Sequence, residues 1–345
     1  MLACVTGGTG FIGSYVVRAL LDDGHSVRVL HRQSSKKDAL SGLDYASTIG
    51  DVLDYDSLVQ AFKDCEWVFH VAAVADYWRA DTSHLFEVNV EGTRNVLRAA
   101  QETGVKRVIF TGSAAAIGLP DDDTPSDESV PFNMPPEHFP YGYSKVLAEE
   151  IVQEYVADGL DVVTVNPSVV IGAGDLNMIS GSYIVQVAHL QWLVPKSSGG
   201  IAVSDVRDIA ASHLAAAKKG RTGERYLLCT ENLSNKEWFG LIAEVAGVAA
   251  PIFPTPDFLI PFAANVVNLL RRIGINTPVN SDQVRLGARN VYFDASKAHR
   301  ELHQPEIPIR QSVEESYQWF LENGYIKDNL ATRLLKGIGG IWHRA

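Results

Sequence analysis

The chain has 345 residues, more than a single hydrophobic core usually serves, and predicts one large domain carrying a smaller one. With 46% hydrophobic and 21% charged residues, its composition excludes a disordered protein. Thirty basic against forty-one acidic side chains give a formal charge of −11, which repels phosphate backbones and anionic lipid and sets nucleic-acid and polybasic membrane roles aside.

In chain order, short runs rich in Val, Ile, Phe and Tyr at 2–6, 26–31, 45–49, 67–71, 107–111 and 162–165 predict strands. Helix-length segments at 11–23, 54–63, 84–103 and 141–157 separate them. In the first, Phe11, Ile12, Tyr15, Val16, Ala19 and Leu20 form a broad apolar face, and Gly24 ends it. Strands alternating with helices imply right-handed crossovers, hence an α/β fold with a doubly wound parallel sheet covered on both faces. After Asn166 the rhythm breaks. Residues 172–200 are glycine-rich around one apolar stretch and read as long loops with one helix. Then 204–219 reads as a helix, 224–230 as a strand returning to the sheet, and the remainder as helices with Pro-rich joints. The expected organisation is a first domain over 1–173 and 201–230, with a smaller, mostly helical cap over 174–200 and 231–345.

Cys4, Cys65 and Cys229 are scattered singly, without metal-ligand spacing or an even disulfide framework, which predicts reduced thiols, no metal and a cytoplasmic location. The opening MLACVTGG lacks a basic and an apolar leader region, so no signal peptide is expected. The longest apolar stretch, 258–270, is interrupted by Pro261, Asn265 and Asn268 and is too short to span a bilayer. A packed helix, a lid, a dimer contact and a membrane-surface contact all fit it.

Between the first strand and helix lies Thr6-Gly7-Gly8-Thr9-Gly10-Phe11-Ile12-Gly13. Glycines there admit backbone angles closed to other residues and let a diphosphate approach, while the helix N-terminus offers free N–H groups and positive dipole. This strand–turn–helix context makes the pattern a dinucleotide site rather than a plain turn. The second strand ends His31-Arg32, followed by Ser34, Ser35, Lys36 and Lys37, with no carboxylate before Asp38. A guanidinium at that place pairs with a 2′-phosphate, where a carboxylate would repel it, so NADP(H) is the expected cofactor and NAD(H) the alternative. Asp51, after the third strand, suits either the adenine edge or a simple turn.

Tyr141 and Lys145 lie four apart on a helix, hence on one face, and no other Tyr of the chain has Lys at that spacing. An ammonium beside a phenol favours the phenolate, so the pair is expected to lower the phenol's pKa and allow proton exchange with a carbonyl or hydroxyl. Ser113 follows the strand 107–111, at the edge where open parallel sheets bind ligands, and is expected to orient a substrate oxygen.

These residues, with Asn89 in Asn-Val-Glu-Gly-Thr and Asn166-Pro167-Ser168, occur in an order that resembles the extended short-chain dehydrogenase/reductase superfamily over nearly the whole chain. His70-Val71-Ala72-Ala73, NVEGTRNVL, NPSVVIGAGD and VYFDASKAHREL look most like its dihydroflavonol-reductase-like and hopanoid-associated sugar-epimerase-like members. The resemblance implies a Rossmann-type sheet with a helical substrate domain, and Ser113, Tyr141 and Lys145 as the catalytic set. It implies that Ala72, Ala73, Pro167, Ser168 and Val169 line the cofactor and that Lys145 also binds the nicotinamide ribose. With Gly7, Thr9, Gly10, Phe11, Ile12, Gly13, Arg32, Asp51, Val52 and Tyr141 these make the expected cofactor site. His31-Arg32 departs from the acidic ending typical of sugar-nucleotide epimerases that hold NAD. It gives Asn89 a structural role and suggests a homodimer through sheet-flanking helices. Ser113-Ala114-Ala115 lacks the acidic pair of sugar-nucleotide dehydratases, and Gly112 stands where Ser is common.

Three functions follow. The first is an NADPH-dependent carbonyl reductase, or reverse alcohol dehydrogenase, for a bulky and rather apolar small molecule, with Tyr77, Trp78, Met178 and Tyr183 as an apolar wall. The second is a nucleotide-sugar epimerase with a tightly held dinucleotide, whose diphosphate Arg207, Arg271, Arg285 and Arg289 are available to bind. The third is a non-catalytic NADP-binding module, which the Tyr141/Lys145 pair argues against.

Overall fold

The computed structural model describes residues 1–75, 81–122, 124–189, 198–250, 257–272 and 281–326. The strands β1 (Leu2–Thr6), β2 (Ser26–His31), β3 (Ala46–Ile49), β4 (Trp67–His70), β5 (Arg107–Thr111) and β6 (Val162–Pro167) recur with α1 (Phe11–Asp22), α2 (Tyr55–Phe62), α3 (Thr82–Phe86), α4 (Gly92–Glu102) and α5 (Pro140–Ala157) between them. After β7 (Val169–Ile171), α6 (Ser182–Ala188), β8 (Gly200–Asp205) and α7 (Val206–Lys219), the chain returns as β9 (Arg225–Leu228). One sheet runs β3-β2-β1-β4-β5-β6-β9. All its neighbours are parallel. This is the doubly wound, Rossmann-type α/β fold expected from the alternation. Central strands are apolar on both faces, with Ala3, Cys4, Val5, Val68 and Phe69 wholly buried, because helices cover the sheet on either side.

Two details differ from the sequence reading. The helix expected over 84–103 is broken into α3, a wide π-helical turn at Glu87–Glu91, and α4. The turn carries Asn89, whose side chain accepts from Val74 N–H at 2.8 Å and donates to Val74 O at 3.2 Å and Ser144 Oγ at 3.1 Å. That clamp joins the loop after β4 to α5, and a regular helix could not present the amide this way. The segment 200–205, read as loop and helix start, is strand β8. It pairs with β7, with β10 (Glu231–Ser234) and with β11 (Asn290–Val291) in a small second sheet. Asp205 then caps α7 by accepting from Arg207 N–H at 2.7 Å.

The helices α8 (Asn235–Ala246), α9 (Ile260–Arg272), α10 (Ser281–Leu286), α11 (Ser296–Leu302) and α12 (Ile309–Glu322) complete the described chain. Trp238 and Ile242 of α8, Ile184 of α6 and Val313 and Phe320 of α12 form one buried cluster beside the small sheet. None of the described helices is long and apolar enough to cross a membrane.

The turn from β1 into α1 is set by backbone contact. Gly7 has φ +71°, and a Cβ there would stand 2.6 Å from Ala72 N; one on Gly13 would stand 2.2 Å from Gly7 O. Gly13→Ala is therefore expected to destabilise the fold by about 1–3 kcal/mol in urea denaturation and to weaken dinucleotide binding together with it. A variant as stable as the parent would show that this backbone yields easily.

Candidate active site

The carboxyl ends of β1, β4, β5 and β6 open into one cleft of about 1670 Å³. This exceeds what a small ligand alone requires and leaves room for a dinucleotide with a substrate beside it. The order in which successive strands are added reverses between β1 and β4, so the cleft begins at the topological switch point. Gly7, Thr9, Gly10, Phe11, Ile12 and Gly13 line it, then Arg32 at the end of β2, Asp51 and Val52 after β3, Ala72 and Ala73 after β4, and Pro167, Ser168 and Val169 after β6. Ser113, Tyr141, Lys145 and Tyr183 face the same space.

Met178 is placed differently. It packs with the cluster around Trp238 and is not among the residues facing the cleft. Tyr77 and Trp78 lie outside the described residues. The sequence reading missed Phe139, Trp238, Phe239 and Phe293, which do face the cleft. Their contributions come from remote segments with no motif of their own.

The glycine turn and the N-terminus of α1 fit a diphosphate: side chains are excluded by the close contacts at Gly7 and Gly13, and the first turn of α1 carries no acidic residue. At the far end Arg32, Ser34, Ser35 and Lys36 face the cleft, with Asp38 among them. Asp51 is anchored in its turn, accepting from Leu53 N–H at 3.0 Å.

Ser113 ends the loop after β5 and caps the short turn behind it, its Oγ accepting from Ala115 N–H at 3.2 Å. The Tyr141 hydroxyl hydrogen-bonds this serine, which holds the phenol's pKa down while burial, the larger influence, raises it. Lys145, one helical turn along α5 from Tyr141, is anchored to the backbone at the end of β5. Its Nζ donates to Thr111 O at 2.9 Å and lies 5.3 Å from the centre of the Phe110 ring. Burial brings the Lys145 ammonium down to about 8, against the favourable charge of Glu149 one helical turn on.

Behind these groups lies a second layer that motif reading did not find. Asn166 donates to Ser113 O at 3.0 Å and to Glu149 Oε1 at 2.5 Å, and Arg225 donates to Glu149 Oε2 at 3.0 Å. Burial raises the Glu149 carboxyl, and Arg225, Asn166 and Lys145 work against that rise. The network also explains Gly112: a Cβ there would stand 2.7 Å from Asn166 Nδ2 and 2.8 Å from Glu149 Oε1. Also unforeseen, Asp175 lines the cleft and accepts from Ser180 and Gly181 N–H with Oδ2, while its buried Oδ1 finds no partner among the described residues.

Comparison with known proteins agrees with this arrangement. The family model for the NAD dependent epimerase/dehydratase family matches residues 3–229. The chain belongs to that family. It is similar to a Synechocystis sp. protein named for dihydroflavonol 4-reductase, 38% identical over 94% of this chain and 95% of the relative. Sterol demethylase protein B of Methylococcus capsulatus is 32% identical over 94% of this chain and all of the relative. The crystal structure of gox2253 superposes with a TM-score of 0.84 at 33% identity, covering 94% of this chain and 99% of that one. The protein is thus an NAD(P)-dependent oxidoreductase of the extended short-chain dehydrogenase/reductase type.

Two buried histidines bracket the site. His70 lies between Thr6 and Thr93, its ring nitrogens 2.8 and 3.1 Å from their hydroxyls, and burial lowers its pKa to about 3. His213 contacts Ile209 O at 2.7 Å and Thr111 Oγ1 at 2.9 Å, and burial lowers it to about 4. Both stay neutral in the fold, whereas an unfolded imidazole protonates near 6.5. Stability is therefore lost as pH falls below about 6.5, at about 1.4 kcal/mol per pH unit for each ring, until the folded values are reached. Urea midpoints between pH 7 and 5 are expected to fall, and less steeply in His213→Gln. An unchanged slope in that variant would mean that His213 is protonated in the native protein.

Proposed function

We propose that this protein is an NADPH-dependent carbonyl reductase, working in reverse as an alcohol dehydrogenase, on a bulky and rather apolar ketone or aldehyde. One observation carries the substrate class: the cleft lining includes the apolar side chains Ile117, Leu119, Met134, Phe139, Trp238 and Phe293, and its described Lys and Arg residues are Arg32, Lys36 and Lys145 alone. A nucleotide-sugar substrate would bring a diphosphate into that space, and an anion there needs cationic partners. The arginines available for such a role are engaged elsewhere. Arg207 pairs with Asp205 at 2.7 Å and Glu315 at 2.9 Å, and Arg285 with Asp282 at 3.2 Å. Arg289 donates to Leu119 O at 3.0 Å. The side chain of Arg271 lies outside the described residues. Relatives named for dihydroflavonol 4-reductase and sterol demethylation support an apolar substrate as well.

When bound, the dinucleotide supplies or accepts the hydride. Ser113 Oγ donates a hydrogen bond to the substrate oxygen and fixes its distance from Tyr141. Tyr141 passes its phenolic proton to that oxygen as the alcohol forms, and takes it back in the reverse direction. Lys145, held by Thr111 O, places a positive charge on the side of α5 where phenolate develops, and Glu149 keeps that lysine protonated. Arg32 is the group for a 2′-phosphate, with Ser34, Ser35 and Lys36 beside it, so NADP(H) is the preferred cofactor. Three buried free thiols fit a reducing cytoplasm, and the family likeness fits a homodimer.

The direct test follows NADPH absorbance with a panel of apolar aryl ketones and, separately, product formation from UDP-sugars. Ketone reduction supports the reading; sugar inversion without net cofactor turnover overturns it. Tyr141→Phe is expected to lower kcat about a hundredfold to ten-thousandfold while NADPH affinity stays the same. Full turnover in that variant would remove Tyr141 from the proton path. Arg32→Ala is expected to raise the Kd for NADPH about tenfold to a hundredfold in fluorescence titration and leave NADH unaffected. Equal weakening of both cofactors would assign Arg32 to the diphosphate or the fold instead.

A further inference from the structure

Helix α6 is amphipathic, and its polar face is turned to the cleft. Ile184, Val185, Val187 and Ala188 are buried in one cluster with Trp238 and Phe320. Ser182, Tyr183 and Gln186 lie within about one turn of each other and line the cleft instead. The start of the helix fixes this orientation. Asp175 Oδ2 accepts from Ser180 N–H at 3.0 Å and from Gly181 N–H at 2.8 Å. A Cβ on Gly181 would stand 2.3 Å from Phe320 Cζ, so the first turn sits tightly on α12.

The polar groups on this face are uncommitted. Tyr183 and Gln186 are half-buried, and neither the Gln186 carboxamide nor the Tyr183 hydroxyl has a hydrogen-bond partner among the described residues. Ser182 Oγ donates to Ile179 O at 3.1 Å and keeps its lone pairs free to accept. The Tyr183 ring stands edge-on to Trp238, with centroids 6.4 Å apart, and burial raises the phenol's pKa, so the hydroxyl remains a donor. The wall beside Ser113 is of another kind: Ala114, Ile117, Leu119 and Phe293 belong to a separate apolar cluster. The cleft thus offers carbon on the Ser113 side and neutral hydrogen-bonding groups along α6. A ligand that is hydrocarbon throughout would strip water from Gln186 and Tyr183 and return nothing. An anionic group is disfavoured there as well, because Asp175 lines the cleft at the start of the helix.

We propose that Gln186, with Tyr183 and Ser182 beside it, determines specificity by binding a neutral hydroxyl group of the substrate. The substrate class is then an uncharged ketone or aldehyde with an apolar body beside Ser113 and a hydroxyl on the part that lies against α6. Gln186 Oε1 accepts from that hydroxyl, and the Tyr183 hydroxyl or Gln186 Nε2 donates to it. The reacting carbonyl rests on the reductase reading above, whereas recognition of the hydroxyl does not.

Calorimetric titration of the full chain loaded with oxidised NADP tests recognition without reference to turnover. The probes are tetralone and its monohydroxylated ring isomers, which share one carbonyl and one carbon frame. At least one hydroxylated isomer is expected to bind about tenfold or more tighter than tetralone itself. Gln186→Leu is expected to remove that difference, and Gln186→Glu, which keeps an acceptor, to retain it. Unchanged urea midpoints check the fold, and Tyr183→Phe gives the same comparison with a milder change. Wild-type protein that binds every isomer no tighter than tetralone overturns the proposal, as does a difference that survives in Gln186→Leu. A parallel loss of NADPH affinity in Gln186→Leu would assign the face to the cofactor and also overturn it. In turnover the preference is expected in KM rather than kcat. Hydroxyl-dependent binding with no reduction of any isomer would count against the reductase reading and leave the assignment of Gln186 standing.

Discussion

The close seat of α1 on the end of β1 is the constraint on which the site depends. A Cβ on Gly13 would lie 2.2 Å from Gly7 O, and one on Gly7 would lie 2.6 Å from Ala72 N, so three backbone segments meet with no side chain between them. This contact aims the free N–H groups of α1 across the switch point between β1 and β4. It also brings the ends of β4, β5 and β6 within reach of one ligand. The cofactor position and the place of Ser113 relative to it both follow from that geometry.

A second constraint lies behind the reacting groups. Lys145 and Glu149 are both buried on α5, and neither charge would be tolerated alone. Arg225 from β9 and Asn166 from β6 complete the set, and Asn166 passes it on to the backbone of Ser113. The last strand of the sheet, far away in sequence, thereby supports the serine that orients substrate. Removing one member of such a set leaves a buried charge exposed to its own desolvation cost, about 3–5 kcal/mol in comparable pairs. The arrangement fixes geometry more than it adds stability.

Sequence reading recovered what local chemistry dictates. The strand at 2–6, the glycine turn and the start of α1 were legible because each glycine answers a backbone need, and the strands at 26–31 and 107–111 match the structure residue for residue. The pairing of Tyr141 with Ser113 could be expected from the order of the motifs. The anchoring could not: the Tyr141–Lys145 spacing says nothing of Thr111 O, to which Lys145 donates, or of burial, which is the largest influence on the phenol. Strand β8 escaped notice because Gly200–Asp205 pairs only with remote segments, and its two residues 200 and 201 meet β11 some ninety positions later. The apolar lining from Phe139, Trp238 and Phe293 was hidden for the same reason: no local pattern marks a residue that becomes functional by long-range packing.

The central claim is that this cleft holds NADP(H) as an exchangeable partner for an apolar carbonyl rather than NAD as a fixed group. Denaturing the purified protein, identifying any dinucleotide released, and titrating the emptied protein with NADPH and NADH tests it most directly. The account predicts little or no retained NAD and tighter binding of NADPH. Stoichiometric NAD that survives purification, with no preference for NADPH afterwards, would contradict it and move the epimerase reading to the front.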